Sequence, residues 1–179
     1  AVAAATGALT PVAGSPFGTG GLSPTPVGID PTGKYLYVTN GATDNISAFS
    51  LDPVSGALTA VAGSPFAAGG TAPVFVGVDP TGHFAFAANA GSTISAFGIA
   101  AATGALTAVP GSPFAAEGIY PKSIAFEHAG KFAYVANSNS GTVSALAIDA
   151  VTGALAAVAG SPFAAGNGPY SVVTVRIAR

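Results

Sequence analysis

The phrase Gly-Ser-Pro-Phe occurs four times in this chain, beginning at Gly14, Gly63, Gly111 and Gly160, at steps of 49, 48 and 49 residues. Gly-Ala-Leu recurs with the same steps, at Gly7, Gly56, Gly104 and Gly153. A third phrase reads Val27-Gly28-Ile29-Asp30-Pro31-Thr32-Gly33 and then Val76-Gly77-Val78-Asp79-Pro80-Thr81-Gly82. Its third copy, Ile124-Ala125-Phe126-Glu127-His128-Ala129-Gly130, has drifted. Three phrases on one period identify a repeat protein, and the repeat has to be explained before any single residue is.

Within each period the apolar residues come in short β-branched or aromatic runs, with no sustained 3.6-residue pattern. Segment a covers 25–29, 74–78 and 122–126, each after a proline; segment b covers 34–39, 83–88 and 131–136. Segment c covers 45–51, 93–99 and 142–148; segment d covers 8–12, 57–61, 105–109 and 154–158. Asp-Pro-Thr-Gly between a and b is turn chemistry, since Pro fixes φ and Gly permits a positive one. Asn-rich links suit the b–c hairpin. Four strands per unit of about 48 residues predict an all-β chain of four-stranded antiparallel β-propeller blades, stacked face to face. The expected division is a single propeller segment, 1–179, with repeat units near 7–55, 56–103 and 104–152 and a partial unit 153–179.

The composition excludes several function classes. Seven acids and five bases leave a net charge of −2, and five bases cannot build a nucleic-acid patch, so no nucleic-acid partner is expected. The absence of Cys removes disulfides, thiolate nucleophiles and Cys-ligated zinc, and two His cannot form a three-histidine site. No metal or cofactor is expected. Gly, Pro, Asn and Ser interrupt the uncharged stretches, so no transmembrane segment is expected either. The 50% hydrophobic content and 7% charge argue for a packed core despite 25 Gly and 14 Pro. The N-terminus lacks an initiator Met and a basic leader and reads as mature or cut sequence.

Gly33-Lys34-Tyr35-Leu36-Tyr37-Val38-Thr39-Asn40, with Phe132-Ala133-Tyr134-Val135-Ala136-Asn137 and the weaker Phe84-Ala85-Phe86-Ala87-Ala88-Asn89 in the same slot, resembles the YVTN-type β-propeller repeat family. Together with Thr-Gly-Ala-Leu-Thr and Gly-Ser-Pro-Phe it is similar to the seven-bladed lactonase-type propellers, which include 6-phosphogluconolactonase-like enzymes. The resemblance covers essentially the whole chain. It implies that Gly168 to Val175 is a final innermost strand closing a ring. Seven blades of about 48 residues need roughly 340 residues, so about three and a half blades are present. The outer faces of the first and last blades would then expose apolar sheet, which predicts a homo-oligomer or polymer through the terminal blades, or a longer chain.

Candidate chemistry is sparse. Asp30, Asp79 and Glu127 share the a–b turn slot, where an acid ordinarily accepts backbone N–H bonds. Lys34, His83 and Lys131 share the next slot, as solvated edge residues. Glu127 and His128 form the one local acid–histidine pair and are the catalytic candidates, although adjacent turn residues usually diverge. Lys122 and Arg176 are the anion-binding candidates; Glu117 and Lys122 are unique to the third repeat and lie near a channel entrance. Asp44-Asn45 makes a poor Ca²⁺ cage, Asn45-Ile46-Ser47 fits a glycosylation sequon, and Gly20-Gly21 and Gly69-Gly70 are linkers rather than phosphate loops. The leading expectation is a non-catalytic, extracellular or cell-surface module for structural assembly or protein interaction. The alternative is a lactonase-like hydrolase of sugar lactones, with its site in the propeller channel.

Overall fold

The computed structural model describes residues 5–175, all of whose regular elements are β-strands. Blade 1 contains β1 (Pro24–Ile29), β2 (Tyr35–Asn40), β3 (Asn45–Leu51), β4 (Leu58–Ala60) and β5 (Phe66–Ala67). Blade 2 contains β6 (Pro73–Val78), β7 (Phe84–Asn89), β8 (Thr93–Ile99), β9 (Leu106–Ala108) and β10 (Phe114–Ala115). Blade 3 contains β11 (Pro121–Phe126), β12 (Phe132–Asn137), β13 (Thr142–Ile148), β14 (Leu155–Ala157) and β15 (Phe163–Ala164). Each is an antiparallel meander whose first strand is one edge, and β6 lies against both β1 and β11, so the first strands sit side by side. This is a partial β-propeller of three blades with terminal pieces of further ones. The blades follow the repeat period but are cut at a different phase from the sequence phrases.

Segment c coincides with β3, β8 and β13. Segment b lies one residue later than expected, because its Asn belongs to the strand, paired with Asn45, Thr93 and Thr142 across the hairpin. Segment d is shorter than expected, and Gly-Ser-Pro-Phe, which sequence reasoning left without an element, explains why. The fourth strand is split: β4 and β5 both pair with β3, on either side of a loop carrying Gly63-Ser64-Pro65. The Ser hydroxyl fills the gap in the ladder. Ser64 Oγ accepts the Ala48 N–H at 2.9 Å, Ser112 Oγ that of Ala96 at 2.9 Å, and Ser161 Oγ that of Ala145 at 3.0 Å. A buried N–H left unmade costs about 1–3 kcal/mol, so the repeated Ser has a physical cause. Residues 8–12 form no strand, since the c strand they would pair with is not in the chain, and 168–175 likewise carries no regular element.

Two apolar clusters hold the blades together. Tyr37, Ile46, Ala48, Val61 and Ala68 of blade 1 pack on Val76, Ala85, Ala87, Phe97 and Leu106 of blade 2. Phe84, Phe86, Ile94, Ala96, Val109 and Ala116 of blade 2 pack on Ile124, Ala133, Val135, Leu146 and Ile148 of blade 3. Burial on both faces explains the weak polar alternation of β7, whose six residues are all buried. The Asn ending each second strand is fully buried and sits under the link to the first strand. Asn40, Asn89 and Asn137 donate through Nδ2 to Ser47, Ser95 and Ser144, each at 2.8 Å. Ser47 and Ser144 pass the bond on to the carbonyls of Thr19 and Ala116. Gly21, Gly70 and Gly118 lie flat on these amides, and a Cβ at any of them would overlap the Asn side chain.

Candidate functional site

The meander order gives each blade two rims. The turn rim carries the a–b turns (30–34, 79–83, 127–131) and the c–d turns. The link rim carries the b–c hairpins and the links entering each first strand (18–23, 68–72, 116–120). Across the six residues of β11, at about 3.3 Å each, the rims stand roughly 17 Å apart. Glu127 and His128 therefore lie at one end of β11 and Lys122 at the other; the structure does not bring these candidates together. Arg176 lies outside the described residues.

On the turn rim the acids are engaged by backbone. Asp30 is 7% exposed, and Asp79 1%. Asp30 Oδ1 accepts the Tyr35 N–H at 2.6 Å and Oδ2 that of Thr32 at 3.0 Å, while the Thr32 hydroxyl also donates to Oδ2. Burial raises the Asp30 carboxyl, yet the Thr32 hydroxyl and the Tyr35 and Thr32 N–H groups together hold it below its ordinary value. Asp79 repeats the pattern with Phe84 N–H at 2.8 Å and Thr81 N–H at 3.0 Å. Glu127 reproduces it with a longer side chain: Oε2 accepts from Ala129 N–H at 2.9 Å and Oε1 from Lys131 N–H at 2.7 Å. Those two bonds hold Glu127 below the usual carboxylate range. Glu127 and His128 line a 410 Å³ cavity with Pro80, Phe126, Thr174 and Val175. Thr174 Oγ1 donates to the Phe126 carbonyl at 2.6 Å, which docks the C-terminal segment beside blade 3.

Elsewhere, Asp52 Oδ1 accepts from Ser55 N–H at 2.7 Å and Val54 N–H at 3.0 Å, and Asp149 Oδ1 from Thr152 N–H at 2.8 Å and Val151 N–H at 3.0 Å. Asp44 Oδ1 accepts from Ala72 N–H at 2.6 Å, which commits the poor Ca²⁺ candidate to a loop. The Asn45 sequon is likewise structural: Asn45 Oδ1 accepts from Asn40 Nδ2 at 2.7 Å, and Ser47 is fully buried. No group of His, Asp and Glu among the described residues could hold a metal ion.

Six of the seven acids therefore serve the fold. The seventh, Glu117, is exposed and its carboxylate accepts no hydrogen bond from the described residues. It stands in the slot of Gly20 and Gly69, whose φ values are 74° and 75°, and itself has φ 59°. That left-handed backbone costs a non-glycine residue roughly 1–2 kcal/mol. Three residues on, Tyr120 also has φ 59°, and Lys122 follows two residues later. Lys122 is the one charged side chain on the three adjacent first strands β1, β6 and β11. Its Nζ lies 4.4 Å from the Tyr120 ring centroid and 5.4 Å from that of Tyr170, a distance at which a cation is attracted by the ring face. The blade 3 link and the strand it enters thus carry Glu117, Tyr120 and Lys122 within six residues of sequence, with the Tyr170 ring also beside the Lys122 ammonium. Sequence reasoning found Glu117 and Lys122 as departures from the repeat but missed Tyr120 and Tyr170. Superposing Pro169 on Pro121 places Tyr170 in the Lys122 slot and would have found it.

Among solved structures, the chain resembles a 6-phosphogluconolactonase candidate from Bacteroides fragilis, with TM-score 0.74 and 22% identity over 84% of this chain and 41% of that one. It also resembles the periplasmic gluconolactonase of Pseudomonas aeruginosa, with TM-score 0.70 and 23% identity over 83% of this chain and 41% of that one. Hydrazine synthase of Kuenenia stuttgartiensis shares the fold at TM-score 0.62 and 19% identity, over 90% of this chain and 42% of that one. At these identities the likeness concerns fold alone, and the chain spans less than half the length of these structures. No curated protein matches it. The family model described as Lactonase, 7-bladed beta-propeller matches residues 1–76 and 65–173. On that match, which takes in nearly the whole repeat array, the chain belongs to the seven-bladed lactonase-type β-propeller family.

Proposed function

We propose that this chain is part of a lactonase-type hydrolase of acidic sugar lactones, whose site includes the link rim of blade 3. This reverses the leading expectation of a non-catalytic module; the family match and the lactonase-related neighbours favour the hydrolase. The observation that carries the reading is Glu117, the acid with no structural task among the described residues, in a strained glycine slot five residues before Lys122. Strain held at a charged residue is a mark of functional sites.

The chemistry is an ester hydrolysis. Water adds to the lactone carbonyl, the ring C–O bond breaks, and the product is a hydroxy acid that releases one proton at neutral pH. Glu117 takes the proton from the attacking water as general base. Lys122 attracts the carboxylate or phosphate of the substrate, held in place by the Tyr120 and Tyr170 rings. An extracytoplasmic setting accords with the periplasmic neighbour.

Acid release from glucono-δ-lactone and its 6-phosphate, measured by pH-stat above the spontaneous rate, tests this. Glu117→Gln is expected to lower kcat/KM about 100-fold or more. Lys122→Ala should raise KM for the phosphorylated lactone more than for the neutral one, and Glu127→Gln should leave turnover unchanged. An absence of turnover together with an absence of gluconate binding would return the chain to the non-catalytic reading.

A further inference from the structure

Left-handed backbone at a non-glycine residue persists only where its surroundings fix it. On the blade 3 link, Glu117 and Tyr120 both have φ 59°. What fixes this link is the b–c hairpin of the same blade. The Ser138 N–H donates to the Tyr120 carbonyl at 3.0 Å, and the Asn139 N–H to the Ile119 carbonyl at 3.1 Å. The Ser138 hydroxyl gives the Tyr120 carbonyl a second bond at 3.2 Å. In the return direction the Ile119 N–H donates to Ser140 Oγ at 3.0 Å. Ser140 Oγ also lies 2.9 Å from Thr142 Oγ1, which accepts from the buried Asn137 amide at 3.3 Å. The link is therefore tied through Ser140 to β13 and to the Asn anchor beneath.

The sister blades build the same frame with less. In blade 1 the Gly41 and Ala42 N–H groups reach the Ser23 and Leu22 carbonyls at 3.0 and 3.2 Å, and the Leu22 N–H reaches Thr43 Oγ1 at 3.2 Å. Blade 2 has a hairpin one residue shorter. Its Ala90 and Gly91 N–H groups reach the Ala72 and Thr71 carbonyls at 2.9 and 3.4 Å. Where these blades carry Gly41-Ala42-Thr43 and Ala90-Gly91-Ser92, blade 3 carries Ser138-Asn139-Ser140. The hairpin and the link bearing Glu117 thus depart from the repeat together, on one rim of one blade.

We infer that Ser140 is a positioning residue for Glu117: by accepting the Ile119 N–H two residues further on, it holds the link in the conformation that presents the carboxylate. The inference rests on the hydrolase reading. Lys122 is held differently, by the ladder that pairs β11 with β12 from Pro121 onward. Ser140 accordingly governs the rate of the chemical step and not the attraction of the substrate.

The test compares Ser140→Ala, Ser140→Thr and Thr43→Ala in the full chain. Turnover of glucono-δ-lactone and its 6-phosphate is read by pH-stat, and hydrogen exchange of the Ile119 amide by NMR. Ser140→Ala should lower kcat about ten-fold or more with KM within about two-fold of the unmodified chain. It should also speed Ile119 exchange about ten-fold. Ser140→Thr should restore both, because Thr43 makes the same bond in blade 1. Thr43→Ala removes that bond from blade 1 and should leave turnover unchanged. In a Glu117→Gln background, Ser140→Ala should lower kcat no further, since both act on one group. The inference is overturned by an unchanged kcat in Ser140→Ala, by an equal loss in Thr43→Ala or by an additive loss in the double variant. An Ile119 exchange rate indifferent to Ser140→Ala overturns it whatever the turnover. A chain that exchanges as expected but hydrolyses neither lactone refutes the hydrolase reading and leaves the hold of Ser140 on the link standing.

Discussion

The two rims of blade 3 hold similar side chains put to opposite uses. On the turn rim, Glu127 and His128 are the obvious acid–base pair, yet Glu127 spends both oxygens on backbone N–H groups, as Asp79 and Asp30 do one and two periods earlier. On the link rim, Glu117 stands where the sister repeats have glycine, in a left-handed backbone and with no hydrogen bond from any described residue. In a repeat protein the chemical type of a residue says less than its slot. A carboxylate whose slot holds a carboxylate in every copy belongs to the fold, while one that displaces a glycine has been placed there against a cost.

Four expectations would break or sharpen this contrast. The largest effect belongs to Gly104→Ala, whose Cβ would enter the Tyr35 ring at φ 74°. Overpacking and backbone strain together should cost about 3 kcal/mol or more in chemical denaturation. Gly7→Ala, with nothing within 4 Å, should cost only the strain. Next comes Asp79→Ala, which leaves the N–H groups of Phe84 and Thr81 without their acceptor at a buried turn. A loss of about 2–3 kcal/mol is expected; a loss under half a kcal/mol would contradict a structural role for the turn acids.

A smaller effect follows pH. Asp30, Asp52, Glu127 and Asp149 all have carboxyls lowered in the folded state from ordinary values of 3.8 for Asp and 4.5 for Glu. The unfolded chain therefore binds more protons in acid, so their stabilisation is complete above about pH 4.5 and is lost as pH falls through the lower folded values. Glu127→Gln should flatten the acid limb of a thermal-melt profile. The smallest effect has the opposite sign: Glu117→Gly should stabilise the fold by about 1 kcal/mol by relieving the left-handed strain, while removing lactone turnover.

The architecture was legible because the period is exact to one residue, and three phrases locate every turn. β3, β8 and β13 could be bounded from sequence alone because β-branched and aromatic runs fill them between Asn and Gly punctuation. The two-residue strands β5, β10 and β15 could not, since Phe-Ala has no period of its own and its pairing depends on a Ser 16 residues from its N–H partner. The candidate site was half legible. Glu117 and Lys122 stood out as breaks in the repeat, but the lack of a hydrogen-bond partner for Glu117 among the described residues, and the aromatic rings around Lys122, exist only in three dimensions. Residues 168–175 were expected as a strand from the family resemblance, but the second strand against which they would hydrogen-bond is not in the chain.

The Asn amides beneath Gly21, Gly70 and Gly118 carry a consequence for how such a protein can change. Each amide fixes one point of its link to the sheet below, so the neighbouring positions can exchange side chains without resetting the path of the chain. Blades 1 and 2 present the same frame with Gly20, Ser23 and Thr25, and with Gly69, Ala72 and Val74, where blade 3 presents Glu117, Tyr120 and Lys122. Chemistry proven on one blade is thereby transferable to its neighbours slot by slot, and new specificity can be written on the rim while the β-scaffold beneath it stays unedited.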